Sequence, residues 1–139
     1  MQNAELRMQN DGGETALKDN IILTKSMDFS VRIVNLYKYL CSEKNEYVMS
    51  KQLLRSGTSI GANIHEAVNG QSGKDFLAKM YIAFKEASET EYWITLLMKT
   101  MYLTQEQGES ILFDCVELKK ILTAIIRTSK NNAEGGTQE

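Results

Sequence analysis

Residues 52–93 read QLLRSGTSIGANIHEAVNGQSGKDFLAKMYIAFKEASETEYW. Leu53, Gly57, Ile60, Ile64 and Ala67 recur at alternating intervals of four and three, the spacing that keeps residues on one face of an α-helix. Asn69–Gly70 then breaks the pattern as a turn. Ser72 and Asp75 make a Ser-x-x-Asp arrangement like a capping box, which opens a second helix. From there Phe76, Met80, Ala83, Ala87, Thr90, Ile94, Leu97 and Met101 hold the same alternation over residues 74–102 without interruption. At 1.5 Å per residue that helix is roughly 40 Å long. Two amphipathic helices joined by a tight turn lie antiparallel, and this hairpin sets the fold.

The same reading extends outward in both directions. Phe29, Ile33, Leu36 and Leu40 predict a helix over residues 25–41, with Thr24 or Ser26 as N-cap. Ser50 is the expected N-cap of the helix that carries Leu53, with Met49 and Leu54 as a hydrophobic staple. After residue 102, Thr104 and Gln107 form another capping box, and Ile111, Cys115, Leu118, Leu122 and Ile125 predict a helix over residues 105–130. Four helices of similar length with short connections argue for an all-α, antiparallel up-down-up-down four-helix bundle. The chain contains no proline, where average usage of about 5% predicts about seven. That suits long unbroken helices. The bundle is expected over residues 21–130. Residues 1–20 are expected to be a flexible N-terminal tail, and residues 131–139, with Gly135–Gly136, a disordered C-terminal one.

At 139 residues, with 42% hydrophobic and 24% charged side chains, the chain reads as one soluble domain. The first twenty residues hold no apolar signal-peptide core. The longest apolar run, residues 80–84, is far below the ~20 residues of a membrane span. The expectation is a cytoplasmic protein that engages no membrane. Cys41 and Cys115 match neither a disulfide framework nor a metal motif. The net charge is −2, but the acids crowd the ends. Setting aside residues 1–19 and 131–139 leaves 12 acids against 14 bases. A net of +2 is not the strongly basic balance of a dedicated phosphate-binding module.

Gly57 and Gly61 sit four apart within a helix, each at a cost of about 1 kcal/mol relative to alanine. Close approach of another backbone is the physical return. In an antiparallel pair, residues whose numbers sum to about 144 stand at the same height. Arg55 then comes level with Glu89, Ser59 with Lys85 and Asn63 with Tyr81. Arg55 is placed to fork onto Glu86 or Glu89. Arg55, Asn63, Glu66, Lys85, Glu86 and Glu89 form the candidate polar network. Deleting one partner of the Arg55 pair is expected to cost about 3–5 kcal/mol if the pair is buried and about 0–1 kcal/mol if it is exposed.

Catalysis is not expected. His65 is the only histidine and no glutamate lies three residues before it, so the carboxylate–histidine set of di-iron bundles is missing. No glycine-rich phosphate loop precedes a Lys-Ser/Thr pair. Ser59 and Lys85 stand level as a candidate Ser–Lys pair, one of many pairs that the level-matching allows. No cofactor or metal is expected. Arg32, Lys38, Lys119, Lys120 and Arg127 lie on the first and fourth helices, neighbours in such a bundle. They are the candidate nucleic-acid-binding residues.

With RSGTSIGAN, Glu66–Ala67, Asp75–Phe76, Lys85–Glu86–Ala87 and Glu89–Thr90–Glu91–Tyr92–Trp93 in place, the chain resembles the bacterial four-helix-bundle proteins called 23S rRNA intervening-sequence proteins. More distantly it resembles the accessory protein of diversity-generating retroelements. The resemblance spans residues 23–129 and is strongest over 52–93. It implies a homo-oligomer, typically a ring-like pentamer, with Arg55, Gly57, Gly61 and Asn63 at helix–helix or subunit contacts. It also implies a non-enzymatic scaffold that engages RNA or a ribonucleoprotein, the alternative being an accessory module that binds protein only. The retroelement relatives bind nucleic acid through a strongly basic surface, from which the +2 body departs.

Overall fold

The computed structural model describes the backbone of residues 13–70 and 72–138 and side chains within 21–70 and 72–133. Among the described residues four α-helices follow in order: α1 (Gly13–Lys44), α2 (Met49–Val68), α3 (Gly73–Lys99) and α4 (Gln105–Gln138). Each packs on the next, and α4 returns to α1, while among the described residues α1 and α3 do not pack on each other. This is the up-down-up-down bundle, with α1 diagonal to α3.

The apolar stripes meet in one core. All five positions of the α2 stripe are buried, as are Ile111, Cys115, Leu118, Leu122 and Ile125 on α4. Phe29, Ile33 and Leu40 are buried on α1, with Leu36 packed at the margin. On α3 the stripe is buried from Met80 to Leu97, with Phe76 partly so. Met101 is 86% exposed. The helix stops at Lys99, and Met101 turns to φ 68° as the backbone N–H of Tyr102 closes onto the Leu97 carbonyl at 2.9 Å. That is the left-handed helix stop usually given to glycine.

Several ends differ from the sequence expectation. α1 begins at Gly13, so the expected tail is helical from residue 13; residues 1–12 lie outside the described residues. Thr24 and Ser26 are therefore interior, and Ser26 donates back to the Leu23 carbonyl at 3.2 Å instead of capping. α4 continues through residues 131–138, where no proline stops it. At the start of α2, Ser50 is not the cap. The helix begins one residue earlier, and its capping group is the Glu46 carboxylate. It accepts the backbone N–H of Val48 and Met49 at 3.1 Å each and of Ser50 at 2.7 Å. The Ser50 hydroxyl donates to the Glu46 carbonyl at 2.8 Å. Asn45, at φ 52°, turns the chain into this cap. Ser72 does cap α3, accepting from the Asp75 N–H at 3.1 Å. Thr104 and Gln107 exchange both bonds of a capping box at α4, at 3.1 and 3.0 Å.

Both α2 glycines face α1. A Cβ on Gly57 would stand 2.7 and 2.8 Å from two Ile33 side-chain carbons, and one on Gly61 would stand 3.2 Å from the Ser30 hydroxyl. Ile33 is fully buried and β-branched, so it cannot rotate away. The Gly57→Ala variant should lose about 1–2 kcal/mol in urea melts, overpacking outweighing the gain in helix propensity. The Gly61→Ala variant should stay within about 1 kcal/mol of the parent.

Burial pushes the Glu46 carboxyl up, but the N–H groups of Ser50, Met49 and Val48 outweigh it and hold the group below its ordinary value. Its stabilisation is thus complete above the unfolded value of about 4.3 and is lost as pH falls through the folded one. Glu46→Gln should cost about 1 kcal/mol at pH 7. The gap between the variant and the parent should narrow in melts repeated towards pH 3.

Candidate functional site

Arg55, Ser56 and Gly57 are consecutive on α2 and point in three directions. Gly57 meets α1, Ser56 is buried towards α3, and Arg55 lies at the exposed rim of the α2–α3 seam. Below the rim the Ser56 and Thr90 hydroxyls share a hydrogen bond of 2.9 Å, and Thr90 donates to the Glu86 carbonyl at 2.7 Å. Above it, Arg55 Nη1 reaches both Glu86 oxygens at 3.3 and 3.2 Å, and Nη2 bonds the Glu89 carboxylate. The same Glu89 oxygen accepts the Trp93 indole N–H at 3.0 Å. α3 supplies Glu86, Glu89 and Trp93 at intervals of three and four, so about two turns of helix carry all three along one face.

The side chains of Arg55, Glu86 and Glu89 are 48%, 20% and 37% exposed. The pairing therefore belongs to the solvent-screened class, about 0–1 kcal/mol per pair. The Trp93 N–H first and Arg55 second hold the Glu89 carboxyl below its ordinary value. The Glu89 hydrogen bond raises Arg55 against an opposing cost of desolvation.

The other three members of the expected network lie apart. Asn63 donates to the Ser59 carbonyl of its own helix at 2.8 Å. Glu66 pairs with Lys79 at 3.1 Å. Lys85 is exposed and makes no ion pair among the described residues. The Ser59 hydroxyl bonds the Arg55 carbonyl at 2.6 Å, so no Ser59–Lys85 pair forms. Equal height brings two residues together only when both also face the seam: Glu66 and Lys79 meet across it, and Ser59 and Lys85 do not.

The expected basic face of the first and fourth helices is broken up in the same way. Arg32 is held by Asp114 at 2.6 Å and by Ser110. Lys25 is held by Glu117 at 3.1 Å. Lys119 turns towards α3, bonding Glu91 at 2.8 Å with its ammonium 5.3 Å from the Phe84 ring centre. Lys38, Lys120 and Arg127 are exposed and make no ion pair among the described residues. Beside Arg32 an open groove of about 650 Å³ runs between α1 and α4, floored by Leu36 and Ile111 and edged by Tyr39 and Gln107.

Burial pushes the Cys115 thiol up to about 12, and its Sγ lies 3.3 Å from the Ala87 carbonyl. It is a core side chain. His65 is exposed beside Asn69. Among the described residues no three of His, Cys, Asp or Glu come together as metal ligands, and no helix is long and apolar enough to cross a membrane.

The sequence reading passed over a set of exposed apolar side chains. Met27 and Val31 on α1 are 63% and 53% exposed, and Tyr81, Ile82 and Tyr92 on α3 are 43%, 40% and 59% exposed. Each set sits off its helix's core stripe, a signal present in the sequence once the stripe is drawn.

Trp93 is the only tryptophan, so its emission reports on Glu89. Because the folded Glu89 value is depressed, its contribution is present above the unfolded value of about 4.3 and is lost as pH falls through the folded one. Trp93 emission should titrate with a midpoint below that value, and Glu89→Gln should remove the step. An Arg55→Ala, Glu89→Gln double-mutant cycle should return a coupling of about 1 kcal/mol or less.

The sequence profile of the 23S rRNA-intervening sequence protein family matches residues 18–124. A solved structure with TM-score 0.78 and 60% identity covers 79% of this chain and 98% of its own. It is the 1.70 Å crystal structure of a protein with unknown function from the S23 ribosomal protein family of Bacteroides thetaiotaomicron VPI-5482. No curated protein matches. With the profile spanning most of the bundle, the chain belongs to the 23S rRNA-intervening sequence protein family.

Proposed function

We propose that the protein is a non-enzymatic, cytoplasmic helical-bundle scaffold that assembles as a homo-oligomer and engages RNA or a ribonucleoprotein. The observation that carries this reading lies on the outer face of α4. Phe113, Lys120 and Arg127 follow one another at intervals of seven, which aligns them along one stripe. Phe113 is 71% exposed, and both cations are exposed with no acid paired to them among the described residues. Cations for phosphates beside a ring for an unstacked base are the elements of single-stranded RNA contact. A homo-oligomer repeats the stripe around its surface and multiplies a weak contact. The names of the family and of the solved relative, which refer to rRNA and the ribosome, support the reading, and the family resemblance suggests a pentamer.

One observation favours a second reading, an accessory module that binds protein only. Lys25, Arg32, Arg55, Lys79 and Lys119 all spend their charge on acids of the same chain. Two of the five cations of the expected basic face, Arg32 and Lys119, are thereby withdrawn from a polyanion.

Titration of the native assembly with single-stranded RNA at about 50 and 200 mM salt separates the two. Two phosphate contacts per chain on a single strand give a log–log slope of about −1.4, or about sevenfold weaker binding at the higher salt. Contacts from more subunits steepen it. Binding with this dependence that is lost in Lys120→Glu, Arg127→Glu is the expected result. No binding at either salt would make the protein-only module the working function.

A further inference from the structure

We infer that a second copy of this chain docks head-to-tail, with the outer face of α1 on one copy seated against the outer face of α3 on the next. This rests on the reading of the protein as a homo-oligomer and names the surface that would make it one. Two observations carry it. The first is the pair of exposed apolar patches, Met27 and Val31 on α1 and Tyr81, Ile82 and Tyr92 on α3, each 40% exposed or more. Large exposed side chains clustered in this way mark contact surfaces.

The second observation is charge at matched height. Ile33 packs at Gly57, and the adjacent Ser56 bonds Thr90. Ile33 is thus level with about residue 89 of α3. Two antiparallel steps make α1 and α3 parallel, so Asp28 comes level with about residue 84, next to Lys85. Asp28 and Lys85 are both exposed, and neither makes an ion pair among the described residues. Two copies set side by side in the same orientation would therefore bring the acid of one patch to the base of the other, with Met27 and Val31 against Tyr81, Ile82 and Tyr92.

The geometry fixes the kind of contact. α1 and α3 are diagonal in the bundle, so the two patches face away from each other and a single chain cannot satisfy both. The contact is between unlike surfaces, and each copy keeps one of each free. Such an interface propagates until the rotation closes a ring.

Sedimentation velocity at tens of micromolar tests this on the full chain. The variants are Val31→Asp, Ile82→Asp, Asp28→Lys, Lys85→Asp and the double exchange Asp28→Lys, Lys85→Asp. All replace exposed side chains, and circular dichroism confirms that each keeps its helix content. Val31→Asp and Ile82→Asp should each weaken self-association at least tenfold. Mixed together they should form a 1:1 heterodimer that grows no further, because one copy supplies the intact α3 face and the other the intact α1 face. Either charge reversal alone should weaken association about threefold to tenfold, and the double exchange should restore it. A monomeric parent would overturn both the homo-oligomer and this interface. An oligomeric parent indifferent to all the variants would overturn the interface and leave the homo-oligomer standing. Monomeric Val31→Asp and Ile82→Asp that do not form a heterodimer would overturn the head-to-tail geometry.

Discussion

The missing side chain at residue 57 sets the spacing on which the rest of the bundle depends. With hydrogen in place of a methyl group, the fully buried Ile33 side chain occupies the space a Cβ would need, and α1 and α2 come together more closely than two ordinary side chains would permit. One position earlier on the same helix, rotated by about 100°, Ser56 turns inward to Thr90. One earlier still, Arg55 reaches over the rim to Glu86 and Glu89. Three consecutive residues thus serve the α1 contact, the buried α3 contact and the exposed α3 contact. A shift in the first would move the other two, which is why small and polar residues crowd this part of α2.

Much of this was legible before any coordinates. The alternation of four and three is a property of the helix itself, so the core stripes of α2 and α4 could be drawn in full. Ser72 and Thr104 announced their helices because a hydroxyl cap acts within three residues. Glu46 did not, because its carboxylate reaches forward over residues 48–50 while Ser50 offered a more familiar cap. Met101 continued the α3 stripe on paper, and only the backbone turn after Lys99 puts it outside. Gly57 and Gly61 raised the question of a close neighbour, but whether that neighbour belonged to the same chain is a matter of tertiary geometry.

The polar residues divide along a different line. Numbering in an antiparallel hairpin gives height, and height placed Arg55 within reach of Glu89. It does not give rotation about the helix axis finely enough to separate side chains that face a seam from those that face solvent. Asn63 and Ser59, each with a carbonyl of its own helix in reach, satisfied themselves locally. The same limit applies to the cations. Lys119 and Lys120 are neighbours in the chain, yet one lies under Glu91 and over an aromatic ring while the other stands in solvent. A count of basic residues on two helices treats them alike.

The α1–α4 seam differs in kind from the other three. It joins helices far apart in sequence, it is the most thinly packed, and its cross-links are the half-exposed pairs Arg32–Asp114 and Lys25–Glu117. The other seams lie between consecutive helices and form as local hairpins, which close quickly because little chain entropy is lost in bringing them together. The bundle would therefore be assembled as a three-step zipper and latched last by α4 meeting α1. The latch is also the place where the folded molecule would breathe, opening its groove while the α2–α3 hairpin stays shut.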